Sequence, residues 1–178
     1  MPEGEVSLVF AEYLLGLPGS HGDVSVAIDG AQVRVKGQEI FPIETYLLTR
    51  GWKQSQQVGK NNWQGIYFRS NQTLKVHATS GEGDVVAFVG DKRIRAESKG
   101  GPLIKKSGSK EYPILRELIG QLVTIEVYQP DDILIAVVPS TERFKALTTR
   151  WRDRPIVKKT GIDFALVNRN GTVSTCAF

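Results

Sequence analysis

Apolar residues are spaced along the chain in patterns that predict four helices. The first predicted helix ends at the breaker Gly16-Leu17-Pro18-Gly19 and the second ends at Gly51, since glycine and proline commonly terminate helices. The predicted helices cover residues 5–15, 43–50, 111–127 and 141–151. Strand-like segments separate them, and their order indicates the fold class.

Strands are predicted where apolar residues alternate with polar ones or form short continuous runs. Residues 24–35 alternate around Asp29-Gly30, a favoured two-residue turn, and therefore predict a β-hairpin. The continuous apolar run at 133–138 predicts a strand that is buried on both faces. The unpatterned glutamines at 54–57 predict a loop. Further strands are predicted at 64–69, 73–77, 85–89, 93–97 and 162–167.

The order of these elements predicts an α/β fold, with a mixed β-sheet and helices on both of its faces. Residues 1–38 are predicted to form a small N-terminal appendage of one helix and one hairpin, and residues 39–178 the main domain. The hairpin at 24–35 is a candidate surface for dimerisation or DNA contact, with padding of the core as the alternative.

The composition is that of an ordinary globular protein, because hydrophobic residues make up 40% of the 178 residues and charged residues 24%. This excludes collagen-like, largely disordered and disulfide-dense chains. The formal net charge of +4 permits nucleic-acid binding without requiring it, so the distribution of charge has to decide. One cysteine and two histidines argue against a zinc site built from Cys and His.

The start of the chain, Met1-Pro2-Glu3-Gly4-Glu5, lacks the basic residues and the apolar run of a signal peptide. No segment approaches the roughly 18 to 20 apolar residues that cross a membrane. A cytoplasmic protein without a membrane partner is therefore expected.

The segment from Asp84 to Lys99 contains the most informative charged residues. Gly90-Asp91 is a favourable two-residue type II′ turn between the strands at 85–89 and 93–97. A two-residue turn fixes the register, so Asp84 is expected opposite Glu97 at the open end of the hairpin. Lys99 lies two positions beyond Glu97 and is expected on the same face of the sheet.

From the residues alone, two interpretations of this cluster are open. Glu97 and Lys99 can form a solvated surface ion pair, worth roughly 0–1 kcal/mol. However, two directly opposed carboxylates destabilise a sheet, and a divalent cation such as Mg²⁺, which prefers carboxylate oxygens and water, would neutralise them. Lys99 would then orient the attacking water or stabilise negative charge in the transition state.

The pattern Gly83-Asp84 … Glu97-Ser98-Lys99 resembles the PD-(D/E)XK phosphodiesterase superfamily, which has the restriction-endonuclease-like fold. This resemblance implies that Asp84 and Glu97 bind Mg²⁺, with Mn²⁺ as a substitute, and that Lys99 acts on the attacking water. Many members carry an acidic residue on the helix that precedes the sheet, which implies Glu44 as a further metal ligand. The family core of helix, three strands, helix and strand matches residues 41–138.

Basic residues are concentrated in two segments that are predicted to contact DNA phosphates. The segment 143–159 holds seven basic residues and only Asp153 as an acid, and a Gly-, Ser- and Lys-rich loop follows Lys99. For each basic residue the alternative is an ordinary solvated surface charge. The predicted nucleic-acid contacts are Lys105, Lys106, Lys110, Arg143, Arg150, Arg152, Arg154, Lys158 and Lys159.

Two further residues are predicted to assist the site, His77 as a proton shuttle and Gln121 as an accessory residue on the helix at 111–127. Taken together, the sequence predicts a Mg²⁺-dependent endonuclease that hydrolyses DNA phosphodiester bonds, with a homodimer as the expected assembly. One alternative is a non-catalytic nucleic-acid-binding or assembly module of the same fold. A Holliday-junction resolvase-like, structure-selective endonuclease is the other.

Overall fold

The computed structural model describes residues 1–29, 33–35, 38–79, 81–101, 103 and 110–175. All four predicted helices are present, although the third ends at Val123 rather than at residue 127, and a short helix not expected from the sequence follows the fourth. The helices are α1 (Glu3–Leu15), α2 (Ile43–Thr49), α3 (Glu111–Val123), α4 (Glu142–Arg152) and α5 (Pro155–Thr160). Within these described residues, no helix is long and apolar enough to cross a membrane.

Nine strands form one mixed sheet in the order β11-β10-β9-β8-β7-β1-β6-β5-β4, and β2 pairs with β3 in a separate two-stranded ladder. The predicted α/β class with a mixed sheet is confirmed. The strands are β1 (Ser20–Ala27), β2 (Arg34–Val35), β3 (Gln38–Glu39), β4 (Lys53–Gln57), β5 (Gly65–Arg69), β6 (Gln72–His77), β7 (Val85–Val89), β8 (Lys92–Ser98), β9 (Asp132–Pro139), β10 (Asp163–Val167) and β11 (Val173–Ser174).

Helices pack on both faces of the sheet, as the sequence predicts, because the buried strand residues alternate between two hydrophobic cores. Ile135 and Val137 of β9 belong to the core that contains α1 and α2. Leu134 and Ala136 of the same strand belong to the core formed with α3 and α4. Side chains on successive strand residues point to opposite faces, so the continuous apolar run of β9 serves both cores.

The hairpin predicted at 24–35 is wrong. In its place, β1 is a central strand, with Val24 opposite Leu74 of β6 in parallel pairing and opposite Ala87 of β7 in antiparallel pairing. Alternating apolar residues fit any partner strand equally well, so they predict a strand without identifying its neighbours. β1 is thus part of the main sheet, and α1 packs on it. The proposed domain boundary at residue 38 stays a prediction.

The loop predicted at 54–57 is also wrong, since these residues belong to β4, which pairs with β5 at one edge of the sheet. An edge strand needs backbone hydrogen bonds but not an apolar side-chain pattern, and most of β4 is exposed. Its polar residues therefore carry no periodic signal.

The hairpin of β7 and β8 has the register that the sequence predicts. Val89 lies opposite Lys92 and Val85 opposite Ala96, and Gly90 has the positive φ of 60° that the first position of a type II′ turn requires. β9 lies parallel to β8, and the chain passes through α3 between them. This arrangement places the beginning of β7, the end of β8 and one flank of α3 close together.

Candidate active site

Asp84 immediately precedes β7, and its carboxylate reaches across to the end of β8. Its Oδ2 accepts a hydrogen bond from the backbone N–H of Ser98 at 2.8 Å. Gly83 has a φ of 119°, and a Cβ there would lie 3.1 Å from the carbonyl oxygen of Ala96. A glycine is required because the backbone turns in the left-handed region while passing close to β8.

Asp84 and Glu97 continue the register of the β7–β8 hairpin by one pair and lie opposite each other, so their carboxyl groups interact. Burial, and then the negative charge of Glu97, raise the pKa of Asp84 to about 7. Burial also raises the pKa of Glu97, and the carboxylate of Glu3 adds to this effect. Because two adjacent carboxylates resist simultaneous ionisation, the pair retains a proton close to neutral pH.

Lys99 continues β8 beyond the carboxylate pair and is held by two further acids. Its Nζ lies 3.4 Å from Oε1 of Glu3 and 3.5 Å from Oε1 of Glu117. Burial lowers the pKa of Lys99, but Glu3, Asp84 and Glu117 raise it by more, so it lies above the ordinary value. The ammonium group is therefore charged at neutral pH, and it can donate hydrogen bonds but cannot act as a base.

Glu3, in the first turn of α1, and Glu117 of α3 are the two acids at the site that the sequence did not predict. A Cβ on Gly100 would come within 2.7 Å of the carbonyl oxygen of Met1 and 2.8 Å of the Glu3 nitrogen, so a glycine at this position lets the start of α1 approach β8. Gly101 also donates a backbone hydrogen bond to the Met1 carbonyl oxygen at 3.0 Å. Gly100 thus accommodates the start of α1 and was the available sequence signal for Glu3.

The structure does not bring Glu44 together with Asp84 and Glu97. Burial, and then the charge of Glu44, raise the pKa of Tyr67 to about 12, which places Glu44 beside this residue of β5. β5 lies three strands away from β7, or about 14 Å at the usual strand spacing. The helix that supplies an acid to this site is α1, through Glu3. Glu44 belongs to α2.

Gln121 and His77, the two predicted accessory residues, lie on opposite sides of the pair. Gln121 lines a recess of ≈ 330 Å³ together with Glu97, and its Oε1 is buried and has no hydrogen-bond partner among the described residues. His77 lies opposite Ala27 of β1, which separates it from Asp84 by one strand. His77 therefore does not contact the carboxylates directly.

Two of the predicted DNA-contact residues lie on the side of α3 away from the carboxylate pair. Arg150 and Arg154 line a groove of ≈ 490 Å³ with Tyr112, on the flank of α3 that faces away from Glu97. Arg152 is occupied structurally, since its Nε lies 2.8 Å from Oδ1 of Asp163.

The remaining predicted contacts are mostly exposed. Lys158 lies 3.5 Å from Oδ1 of Asp153, and Lys110, Arg143 and Lys159 are exposed. Lys105 and Lys106 lie outside the described residues.

The donors at this site fit a divalent cation only in part. In the portion of the chain that the structure describes, no group of three or more His, Cys, Asp or Glu side chains is arranged to hold a metal ion. Asp84 and Glu97 do offer two adjacent carboxylates whose proton a cation would displace. Mg²⁺ commonly takes one or two protein carboxylates and completes its coordination with water and substrate oxygens, so the pair is compatible with it.

Comparisons with known proteins provide no identification. No protein-family model matches this chain, and no curated protein or solved structure matches it either. A function must therefore be argued from the geometry around Asp84, Glu97 and Lys99.

Proposed function

We propose that this protein is a Mg²⁺-dependent nuclease of the restriction-endonuclease-like fold that hydrolyses DNA phosphodiester bonds. The proposal depends on one observation: Asp84 and Glu97 lie opposite each other at the open end of the hairpin, half-buried and raised in pKa, with the ammonium group of Lys99 beside them. An acidic pair that is costly to ionise and lies next to a fixed cation is typical of a functional site.

The order of the elements around the pair supports this fold. α1, β1, β7, β8, α3 and β9 follow the sequence helix, three strands, helix and strand, and β1, β7 and β8 are adjacent and antiparallel. β8 and β9 are parallel. The core implied by the resemblance would thus begin at α1, with residues 28–83 inserted between its first two strands.

In this proposal each residue has a defined task. Mg²⁺ would neutralise the phosphate and lower the pKa of a bound water. Asp84 and Glu97 would hold the cation after losing their shared proton. Lys99 donates a hydrogen bond that orients the water or stabilises the charge that develops on the phosphate. Glu3 and Glu117 act through Lys99 by keeping it charged and in place.

In the proposed hydrolysis one bond to phosphorus forms and one breaks. The water oxygen forms a bond to phosphorus, and the bond between phosphorus and one ester oxygen breaks. One proton of the water passes to solvent, and the leaving oxygen takes up one proton. The products are a phosphate monoester and a hydroxyl end, and no oxidation or reduction occurs.

The experiment that tests this proposal is cleavage of plasmid, linear duplex and single-stranded DNA in Mg²⁺, Mn²⁺ or EDTA. Wild-type protein is compared with Glu97→Gln and Lys99→Ala, and with Lys92→Ala, which removes a solvent-accessible lysine of the same hairpin. We expect cleavage with either metal, at least a hundredfold loss in the first two variants and no change in Lys92→Ala. Cleavage that persists in EDTA, or that survives both site substitutions, would reject the proposed chemistry.

A non-catalytic nucleic-acid-binding module is the second candidate. It is favoured by the absence, among the described residues, of a group of three potential metal ligands, and by the ion pairs that already engage Lys99. Such a module would bind DNA equally well in Mg²⁺ and in EDTA. It would also leave every DNA form intact in all four proteins.

A further inference from the structure

A groove lies beside Asp84 on the open face of the sheet. It has a volume of ≈ 510 Å³ and runs over β5, β6, β1 and β7, with Ile66 and Val86 in its lining. Gly83, the residue before Asp84, also lines it. α1 packs on the opposite face of these strands, so the groove is accessible from solvent, and its lining reaches the residue next to Asp84.

Ser25 and His77 provide a hydrogen-bond donor in this groove. Nδ1 of His77 accepts a hydrogen bond from the backbone N–H of Thr79 at 3.1 Å. The proton of the neutral ring therefore lies on Nε2, which donates to Oγ of Ser25 at 2.8 Å. Because Ser25 accepts this bond, its own hydroxyl proton is available to a ligand, and His77 cannot act as a base towards it.

Lys75 adds a positive charge next to this hydroxyl group. It lies directly opposite Ser25 in the ladder of β1 and β6, and its charge lowers the pKa of His77 after the larger effect of burial. No ion pair of Lys75 is found within the described residues. An ammonium and a hydroxyl donor side by side suit a phosphate oxygen.

Aromatic rings lie on the same face, one step further from Asp84. Phe68 follows Ile66 by two residues and Phe88 follows Val86 by two, and the rings are 44% and 46% exposed. The imidazole of His21 stacks on Phe88 with the ring centroids 5.9 Å apart. A phenyl face that remains exposed can stack on an unpaired base but not on the paired bases inside a duplex.

We infer that this groove binds a single-stranded nucleic-acid segment, with a phosphate on Ser25 and Lys75 and bases stacked on Phe68 and Phe88. The inference rests on the proposed nuclease function, because it names the strand that enters the site at Asp84. His77 is a positioning residue that orients the hydroxyl of Ser25. Glu82, at the Asp84 end of the groove, carries the opposing charge, so Glu82→Gln is expected to strengthen binding.

The test is fluorescence anisotropy of three labelled probes: a 20-nucleotide oligothymidine DNA, the corresponding oligouridine RNA and a 20-base-pair DNA duplex. It is done in EDTA, so that binding is measured without cleavage. We expect tighter binding of the single strand. Lys75→Ala should weaken it several-fold and reduce the slope of log affinity against log salt concentration by about 0.7, whereas Lys92→Ala should leave that slope unchanged.

A second comparison separates phosphate contacts from base contacts. Phe68→Ala and Phe88→Ala should each weaken binding by about fivefold to a hundredfold, whereas the exposed Ile156→Ala should not. With an abasic oligonucleotide of the same length, the effect of the phenylalanines should disappear and that of Lys75 should remain. Circular dichroism checks that each variant is folded.

The inference and the proposed function fail in different ways. If wild-type protein cleaves DNA but the Lys75 and phenylalanine variants bind and cleave normally, the groove inference is rejected and the nuclease stands. If these variants lose binding but wild-type protein cleaves nothing, the groove inference stands and the nuclease is rejected. Equal affinity for duplex and single strand also rejects the groove inference.

Discussion

Replacing Asp84 with asparagine should stabilise the protein at pH 8. Folding raises the pKa of Asp84 from 3.8 to about 7, mainly through burial and through the charge of Glu97. Between these values the folded state binds more protons than the unfolded state, so wild-type stability is fully present below about pH 4 and falls as the pH rises to about 7. Asparagine cannot ionise, and its side-chain oxygen can still accept the hydrogen bond from Ser98.

The shift of about three pKa units corresponds to at most about 4 kcal/mol, since each unit is worth about 1.4 kcal/mol. For a chain of this length each kcal/mol changes Tm by roughly 2–4 °C, so we expect Asp84→Asn to melt at most about 8–16 °C higher at pH 8. The difference should shrink steadily as the pH is lowered to 4.

The assay is thermal and urea unfolding from pH 4 to pH 8.5 in EDTA, with Asp91→Asn as the control because that side chain is 88% exposed. The control should follow wild-type protein at every pH. If Asp84→Asn is less stable than wild-type protein at pH 8, the ionised carboxylate must be net stabilising. That result would refute the conclusion that Asp84 and Glu97 resist simultaneous ionisation.

Three further predictions concern Glu12, Gly100 and the pH dependence of cleavage. Glu12→Ala should lower the free energy of unfolding, measured in urea, by about 2 kcal/mol. It removes the carboxylate that lies 2.8 Å from Arg69 and 3.3 Å from Arg50. The loss is limited because both arginines are partly exposed to solvent. Gly100→Ala should lower the free energy of unfolding by about 1–3 kcal/mol, because the new Cβ would meet the Met1 backbone and displace Glu3 from Lys99. A melting curve identical to that of wild-type protein would contradict this contact. If the protein cleaves DNA, the cleavage rate at subsaturating Mg²⁺ should rise up to tenfold per pH unit until about pH 7 and then level off. The reason is that Mg²⁺ binding requires loss of the Asp84 proton. A cleavage rate that does not change from pH 5.5 to 8 would contradict this prediction.

The expected register of the β7–β8 hairpin, and with it the approach of Asp84 to Glu97, followed from Gly90-Asp91 alone. A two-residue turn has few allowed geometries, so the pairing of its strands is a local property. The positions of four helices could also be predicted from the sequence. Their apolar spacing and the glycine and proline residues that end them are local features of the chain. Most of the carboxylate site could thus be located from the amino-acid sequence.

Local patterns in the chain were enough to identify most helices and strands and the two carboxylates that meet. Long-range packing, in contrast, places β1 between β6 and β7, brings Glu3 rather than Glu44 to Lys99, and lines the groove of Ser25 and Lys75 with Gly83, the neighbour of Asp84. These contacts join residues that are far apart in the chain, and alternating side chains do not specify which distant strand becomes the partner. That choice depends on how all the apolar faces are buried at once.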